Sequence, residues 1–225
     1  MNLEEYKKQF NEDDSVGWNF IDKELVKIYS EQEPKHYAPT IHYALGGEEP
    51  LDGISIYKSE QQTKHFHFVT YGFSELYYDE ESSGGEFSKY GFELTFRLKM
   101  EDENDNVNWV CNLLQNIAKY VFKSGKWFEE FHFITANGPI RREFDTEITA
   151  LAFVLDPELG EIDTAHGKVM FLQMVGLTSD EYEKLKQNPK TSETEKLIEK
   201  LKQNNELLIT DLSRKCRVGK GEFHP

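Results

Sequence analysis

From residue 90 to residue 100 the chain alternates. Phe92, Leu94, Phe96, Leu98 and Met100 are apolar, and Glu93, Thr95, Arg97 and Lys99 sit between them. Side chains of a strand point to opposite faces in turn, so the pattern predicts a strand with its apolar face on the core. The other face reads either as solvated or as the floor of a recognition groove. Glu93 and Arg97 share that face and are placed to pair across Thr95. Further strands are expected at 54–57, 65–71, 131–134, 150–155 and 169–175, with a short last one at 207–209. Residues 72–78 read as a turn and a short extended piece, and Ser82-Ser83-Gly84-Gly85 as a loop tip.

Helical spacing appears elsewhere. Residues 2–32 suggest two helices broken near Asp13-Asp14-Ser15. Trp18, Ile21, Leu25 and Ile28 lie on one face of the second, and Asp14 or Ser15 is placed to cap it. The strongest amphipathic pattern is Val110, Leu113, Leu114, Ile117, Ala118, Val121 and Phe122. An acidic turn at 101–105 is expected to cap that helix and suit its dipole, and Gly125 to end it. Thr178 with Glu181, and Ser192 with Glu195, are capping-box patterns that open two more helices. Pro34 and Pro39 end the N-terminal helices, and an extended piece from Ile41 runs into a Gly/Pro turn.

The length of 225 residues suits one large domain. Lys plus Arg number 26 against 41 Asp plus Glu, giving a formal charge of −15. Such a field repels phosphate backbones, which argues against direct nucleic-acid binding, and attracts basic proteins. Cys111 and Cys216 are far apart and outside metal-type spacing. With no apolar leader at the N-terminus, they read as reduced thiols of a cytoplasmic protein. No apolar run approaches membrane-spanning length.

Catalytic motifs are absent or broken. Gly72-Phe73-Ser74-Glu75-Leu76 resembles a nucleophile elbow but lacks the second glycine and the helix that must follow the serine. Residues 218–222 lack the earlier glycine and the Ser/Thr of a phosphate loop. Asp163 and His166 have no nucleophile at readable spacing and read as a turn entering a strand. His65 and His67 form an H-x-H pair able to face one metal ion, but no third ligand lies at a motif spacing, so structural histidines are the favoured reading. The acidic clusters fit no EF-hand loop. No cofactor is expected. Tyr77 and Tyr78, directly before Asp79-Glu80-Glu81 and close to Glu86, are the mixture expected where a basic partner is recognised.

Six collinear blocks make the pattern specific: residues 45–52, 67–77, 90–98, 114–122, 171–177 and 208–211. Together they resemble the Suppressor-of-fused family. The resemblance implies a non-enzymatic α+β domain with a central mixed, mostly antiparallel sheet flanked by helices. It divides the chain into N-terminal helices (1–33), a core (41–212) and a polar tail (213–225). Animal members hold a peptide by strand addition between two domains. Tyr77 matches the tyrosine of the family's S-x-L-Y segment beside that site, whereas the family's next acidic contact is shifted, with Glu86 near it. The chain is expected to end where the animal second domain begins, so that clamp and its partner are not carried over. Single-domain bacterial relatives resemble immunity proteins, antitoxins that bind a polymorphic toxin, often a nuclease. The expected partner is therefore a basic toxin, bound through Tyr77, Tyr78, Asp79, Glu80, Glu81 and Glu86, with Gly72, Glu93 and Arg97 as scaffold. The alternative is a regulator that sequesters a cellular protein or peptide by strand addition near Tyr77.

Overall fold

A computed structural model describes residues 1–216. Helix α1 (Leu3–Gln9) precedes α2 (Val16–Tyr29), and then come strands β1 (Lys35–Tyr37), β2 (Gly53–Ser59), β3 (His65–Tyr71) and β4 (Phe87–Lys99). Helix α3 (Asn108–Ser124) leads to β5 (Phe133–Thr135), β6 (Ile148–Leu155), β7 (Glu161–Thr164) and β8 (Gly167–Thr178). Helices α4 (Ser179–Gln187) and α5 (Thr191–Lys202) follow. The strands form one sheet in the order β1-β2-β3-β4-β8-β6-β5. Among the strand pairs of the described residues only β4–β8 is parallel; the others are antiparallel. The fold is α+β, with a mixed sheet and helices packed against it.

Strand β8 is the axis of the molecule. Along one side it pairs with β4. Along the other it pairs first with β7 and then with β6, so the 156–160 loop joining those two strands lies against the middle of β8. Asp156 N–H donates to the Phe171 carbonyl at 2.8 Å and fixes that loop. Beyond Phe96 the β4 and β8 strands part. The chain after α5 fills the gap: Thr210 N–H donates to the Arg97 carbonyl, Lys99 N–H to the Thr210 carbonyl, and Gly176 N–H to the Thr210 hydroxyl. The expected strand at 207–209 is therefore a turn ending in a single parallel bridge, Leu98 to Thr210.

The alternating strand holds a larger correction. Its apolar face does pack on α3: Phe92, Leu94, Phe96 and Leu98 meet Val110, Leu114, Ala118 and Val121. The opposite face is not solvated, because α2 lies over it with Ile21, Leu25 and Tyr29 against Tyr57, Val69, Tyr71 and Phe171. Glu93, Thr95 and Arg97 are each 0% exposed. Polar groups taken from water need partners inside. Glu93 and Arg97 each find several, and they do not find each other.

Local departures have local causes. Ser15 precedes α2 without a side-chain cap, and the Asp14 carboxylate accepts from Asn11 instead. Val107 precedes α3, and the acidic turn supplies no cap and no acid in its first turn; Gly125 does end the helix in a left-handed conformation. The Thr178–Glu181 box forms, with Thr178 N–H donating to Glu181 at 2.9 Å. Helix α5 begins one residue before Ser192, which therefore does not cap it. The expected extended segment at 41–45 contains a 3-10 turn (Tyr43–Leu45). The short strands β1 and β7 carry no alternation long enough to read. Residues 218–222, and the tail beyond residue 216, lie outside the described residues.

Candidate protein-binding site

The 72–86 segment connects β3 to β4, and its start is set by Glu93. The Thr70 hydroxyl (2.6 Å), Gly72 N–H (2.9 Å), Ser74 N–H (2.9 Å) and Ser74 hydroxyl (2.6 Å) all donate to the Glu93 carboxylate. Burial pushes that carboxyl above its ordinary value, while the four donors pull the other way. Gly72 is at φ +142°, where a side chain is strained, and a Cβ there would crowd the Leu51 backbone at 3.1 Å. Ser74, the serine of the broken elbow, is thus spent on holding a carboxylate.

The segment is then fastened from behind. Gly17 at the start of α2 donates to the Leu76 carbonyl at 2.9 Å, and a Cβ there would lie 1.9 Å from the Glu75 oxygen. Tyr78 N–H donates to the Asp14 carbonyl. The fully buried Tyr6 of α1 donates its hydroxyl to His166 Nε2 at 2.7 Å and accepts from Asp79 N–H at 3.0 Å. His166 in turn uses Nδ1 to donate to the Glu75 carbonyl at 3.3 Å, which sets its neutral tautomer. Burial lowers the His166 pKa, in keeping with that assignment. The Tyr78 ring stacks on Tyr6 with centroids 5.1 Å apart.

The six residues singled out by the sequence divide accordingly. Asp79 is half-buried and its carboxylate is spent within the loop, accepting from Glu81 N–H and the Ser82 hydroxyl. Tyr78 is half-buried and donates to Glu80 at 2.9 Å; partial burial and that carboxylate push its hydroxyl up to about 12. Glu80 also meets Lys7 at 2.6 Å. Tyr77 is 40% exposed, and Glu81 and Glu86 are exposed with no ion pair among the described residues. Partial burial, followed by the nearby Asp52, pushes Tyr77 up to about 12. Sequence reasoning missed Tyr6, Lys7 and Asp52, and placed His166 only in a turn entering a strand. Only the helical phase of Tyr6 hinted at burial, and nothing local links residue 6 to residue 166.

The second buried cluster lies further along β4. Arg97 donates to both Asp156 oxygens, to Glu158 at 2.8 Å and to Gln173. Burial alone would raise the Asp156 carboxyl, but the Arg97 guanidinium overrides it and holds it well below the usual carboxylate range. His67 accepts at Nδ1 from the Tyr29 hydroxyl at 2.7 Å, and its Nε2 lies 3.4 Å from Asp156. Burial, then Arg97, lowers its pKa to about 4. His65 uses Nδ1 to donate to the Thr63 carbonyl. Among the described residues no set of three His, Cys, Asp or Glu side chains is grouped to hold a metal ion. Among them also, no helix is long and apolar enough to cross a membrane. Cys111 and Cys216 are free thiols.

Residues 47–215 match the family model described as Suppressor of fused protein (SUFU). The chain belongs to the Suppressor of fused family. It is 34% identical over 176 residues to the Suppressor of fused homologs of Homo sapiens and Mus musculus, covering 73% of this chain and 36% of each relative. It thus spans about a third of the length of those curated relatives. Among solved structures, the Sufu–Fu complex superposes with a TM-score of 0.79 at 29% identity, covering 90% of this chain and 92% of that one. Drosophila Suppressor of Fused gives 0.78 at 29% identity, covering 92% and 52%. A SUFU homolog from Neisseria gonorrhoeae FA 1090 gives 0.60 at 15% identity, covering 91% and 98%, a likeness of fold alone. The first of these is a Suppressor of fused fold in complex with a protein.

Proposed function

We propose that this domain is a non-enzymatic protein-binding module of the cytoplasm, acting as an immunity protein that neutralises a basic, nuclease-type toxin by direct contact. The observation that carries the reading is the 77–86 loop. It offers an exposed Tyr77 with Glu80, Glu81 and Glu86, on a backbone already fixed by Tyr6, His166 and Glu93. A fixed loop loses little entropy on binding. A chain of −15 draws a cationic partner from a distance. The mechanism is steric and electrostatic occlusion, with no cofactor.

The test is co-expression with a candidate toxin encoded beside the gene, scored by growth and by co-purification. Rescue together with a stable complex supports the reading; neither one appearing rejects it. In the complex, Glu81→Lys with Glu86→Lys is expected to slow association about tenfold at low salt, with the difference shrinking as salt rises. The complex of a structural neighbour, Sufu with Fu, supports a second reading, a regulator that sequesters a cellular protein. A module of that kind binds a host protein and gives no protection against any toxin.

A further inference from the structure

The two outer strands of the sheet are finished differently. At one end β1 carries Lys35 and His36, and just before β1 begins, the Gln32 side chain takes both backbone groups of Lys58 on β2, donating to its carbonyl at 3.0 Å and accepting its N–H at 2.9 Å. That edge is charged, a usual protection against a foreign strand. At the other end β5 reads Phe133-Ile134-Thr135 and has no charge. Its register with β6 places Ile134 opposite Leu151. Phe153 N–H donates to the His132 carbonyl and Ala136 N–H to the Thr149 carbonyl, while Phe131 N–H takes the Phe153 carbonyl in place of His132, so the His132 carbonyl and the Ala136 N–H face β6, with Ile134 in the same phase between them. By the alternation of an antiparallel ladder, Phe133 and Thr135 direct theirs to the open side. Neither pair of groups has a partner among the described residues.

The open edge does not face bare solvent. It lies in a groove of about 1130 Å³ between β5 and α3. Asn112 and Asn116 on α3 offer amides along it, suited to the backbone or side chains of an extended segment. The charged groups of its wall are Lys119 and Arg142 against Glu49 alone, a cationic balance on a chain that carries −15. The 77–86 loop belongs to the β3–β4 connection and contributes nothing to this groove.

We propose that the β5 edge is a second binding face, which takes an extended acidic peptide as an added strand, with its backbone on Phe133 and Thr135 and its carboxylates toward Lys119 and Arg142. The partner is opposite in charge to the one proposed for the 77–86 loop, so the two faces suit different ligands and do not compete. The inference does not depend on the toxin reading.

The probe is a fluorescein-labelled heptapeptide of alternating valine and glutamate, measured by anisotropy on the full chain. Its controls are the same peptide with lysine for glutamate and an acidic version N-methylated at alternate residues, which cannot donate to an edge. The acidic peptide is expected to bind, with the lysine and N-methylated versions at least about tenfold weaker. Thr135→Pro removes an outward donor without touching the β5–β6 ladder and is expected to weaken binding on the order of tenfold. Lys119→Glu with Arg142→Glu is expected to reverse the preference. Glu81→Lys with Glu86→Lys is expected to leave the acidic peptide bound at least as tightly. No binding of the acidic peptide, equal binding of the lysine or N-methylated peptide, or indifference to Thr135→Pro overturns the proposal. Thermal melts establish that each variant is folded, and if Thr135→Pro is not, the N-methylated peptide decides.

Discussion

Acidification from pH 7 to pH 4 is expected to strip stability from this domain through His67, whose ring is sealed between Tyr29 and Asp156. In the unfolded chain the imidazole protonates at its ordinary 6.5, whereas in the folded protein it stays neutral down to about 4. Between those values the unfolded state binds a proton that the folded state refuses, so stability falls as pH falls. The gap, at roughly 1.4 kcal/mol per pH unit, comes to about 3 kcal/mol, a large share of a typical folding free energy. Other groups titrate in the same window, so the contribution is isolated by difference. Urea unfolding is measured at half-unit steps for the wild type and for His67→Asn, whose carbonyl can still accept from Tyr29. The variant is expected to be less stable at pH 7, because a buried ring is lost, but its stability should fall more slowly on acidification. The two curves should therefore converge by about 3 kcal/mol between pH 6.5 and pH 4. Parallel curves across that window would refute the argument, because they would mean that the folded ring takes up its proton as readily as the unfolded one.

Three further outcomes rest on the same buried groups. Arg97→Met leaves Asp156 and Glu158 without their counter-charge and is expected to cost about 3–5 kcal/mol by urea unfolding. Glu93→Gln keeps the shape but turns an amide donor toward groups that all donate. It is expected to cost about 1–3 kcal/mol and to speed amide exchange at Gly72 and Ser74, read by NMR. Tyr6→Phe removes the hydroxyl between His166 and Asp79. A loss of about 1–2 kcal/mol is expected, with faster exchange at Asp79 while the β4 amides stay protected.

The strands and helices with a long period were legible. The 65–71 strand, the α3 face and the Thr178–Glu181 box appear where the residues place them. The strand expected at 131–134 appears as β5 at 133–135, shifted because pairing with β6 sets its bounds, whereas the three residues of β1 hold too little alternation to separate a strand from a loop, and only pairing with β2 defines them. The misreading of β4 is the more instructive one. A polar face normally marks water, and Glu93 and Arg97 at i and i+4 on one face invite a pairing. Their true partners, Ser74 and Asp156, come from loops that the sheet brings in from 19 and 59 residues away. The candidate loop was legible as exposed tyrosine beside acid. That α1 fixes the loop through the Asp79 N–H depends on contacts of Tyr6 reaching 73 and 160 residues along the chain.

The parallel pairing of β4 with β8 has a consequence for how the chain folds. The strands β1 to β4 follow one another as antiparallel neighbours and can zip up as soon as they are made. β4 must then wait for residues 170–174 before its second side is paired, and for Thr210 before its far end is closed. Contacts so remote in sequence carry a heavy loop-closure entropy and slow the search for the native state. During synthesis, a meander of four strands therefore stands complete but half covered, with Phe92, Leu94 and Phe96 beside an open edge. The interval between the making of β4 and the arrival of β8 is the moment at which this protein is most exposed to pairing with the wrong strand.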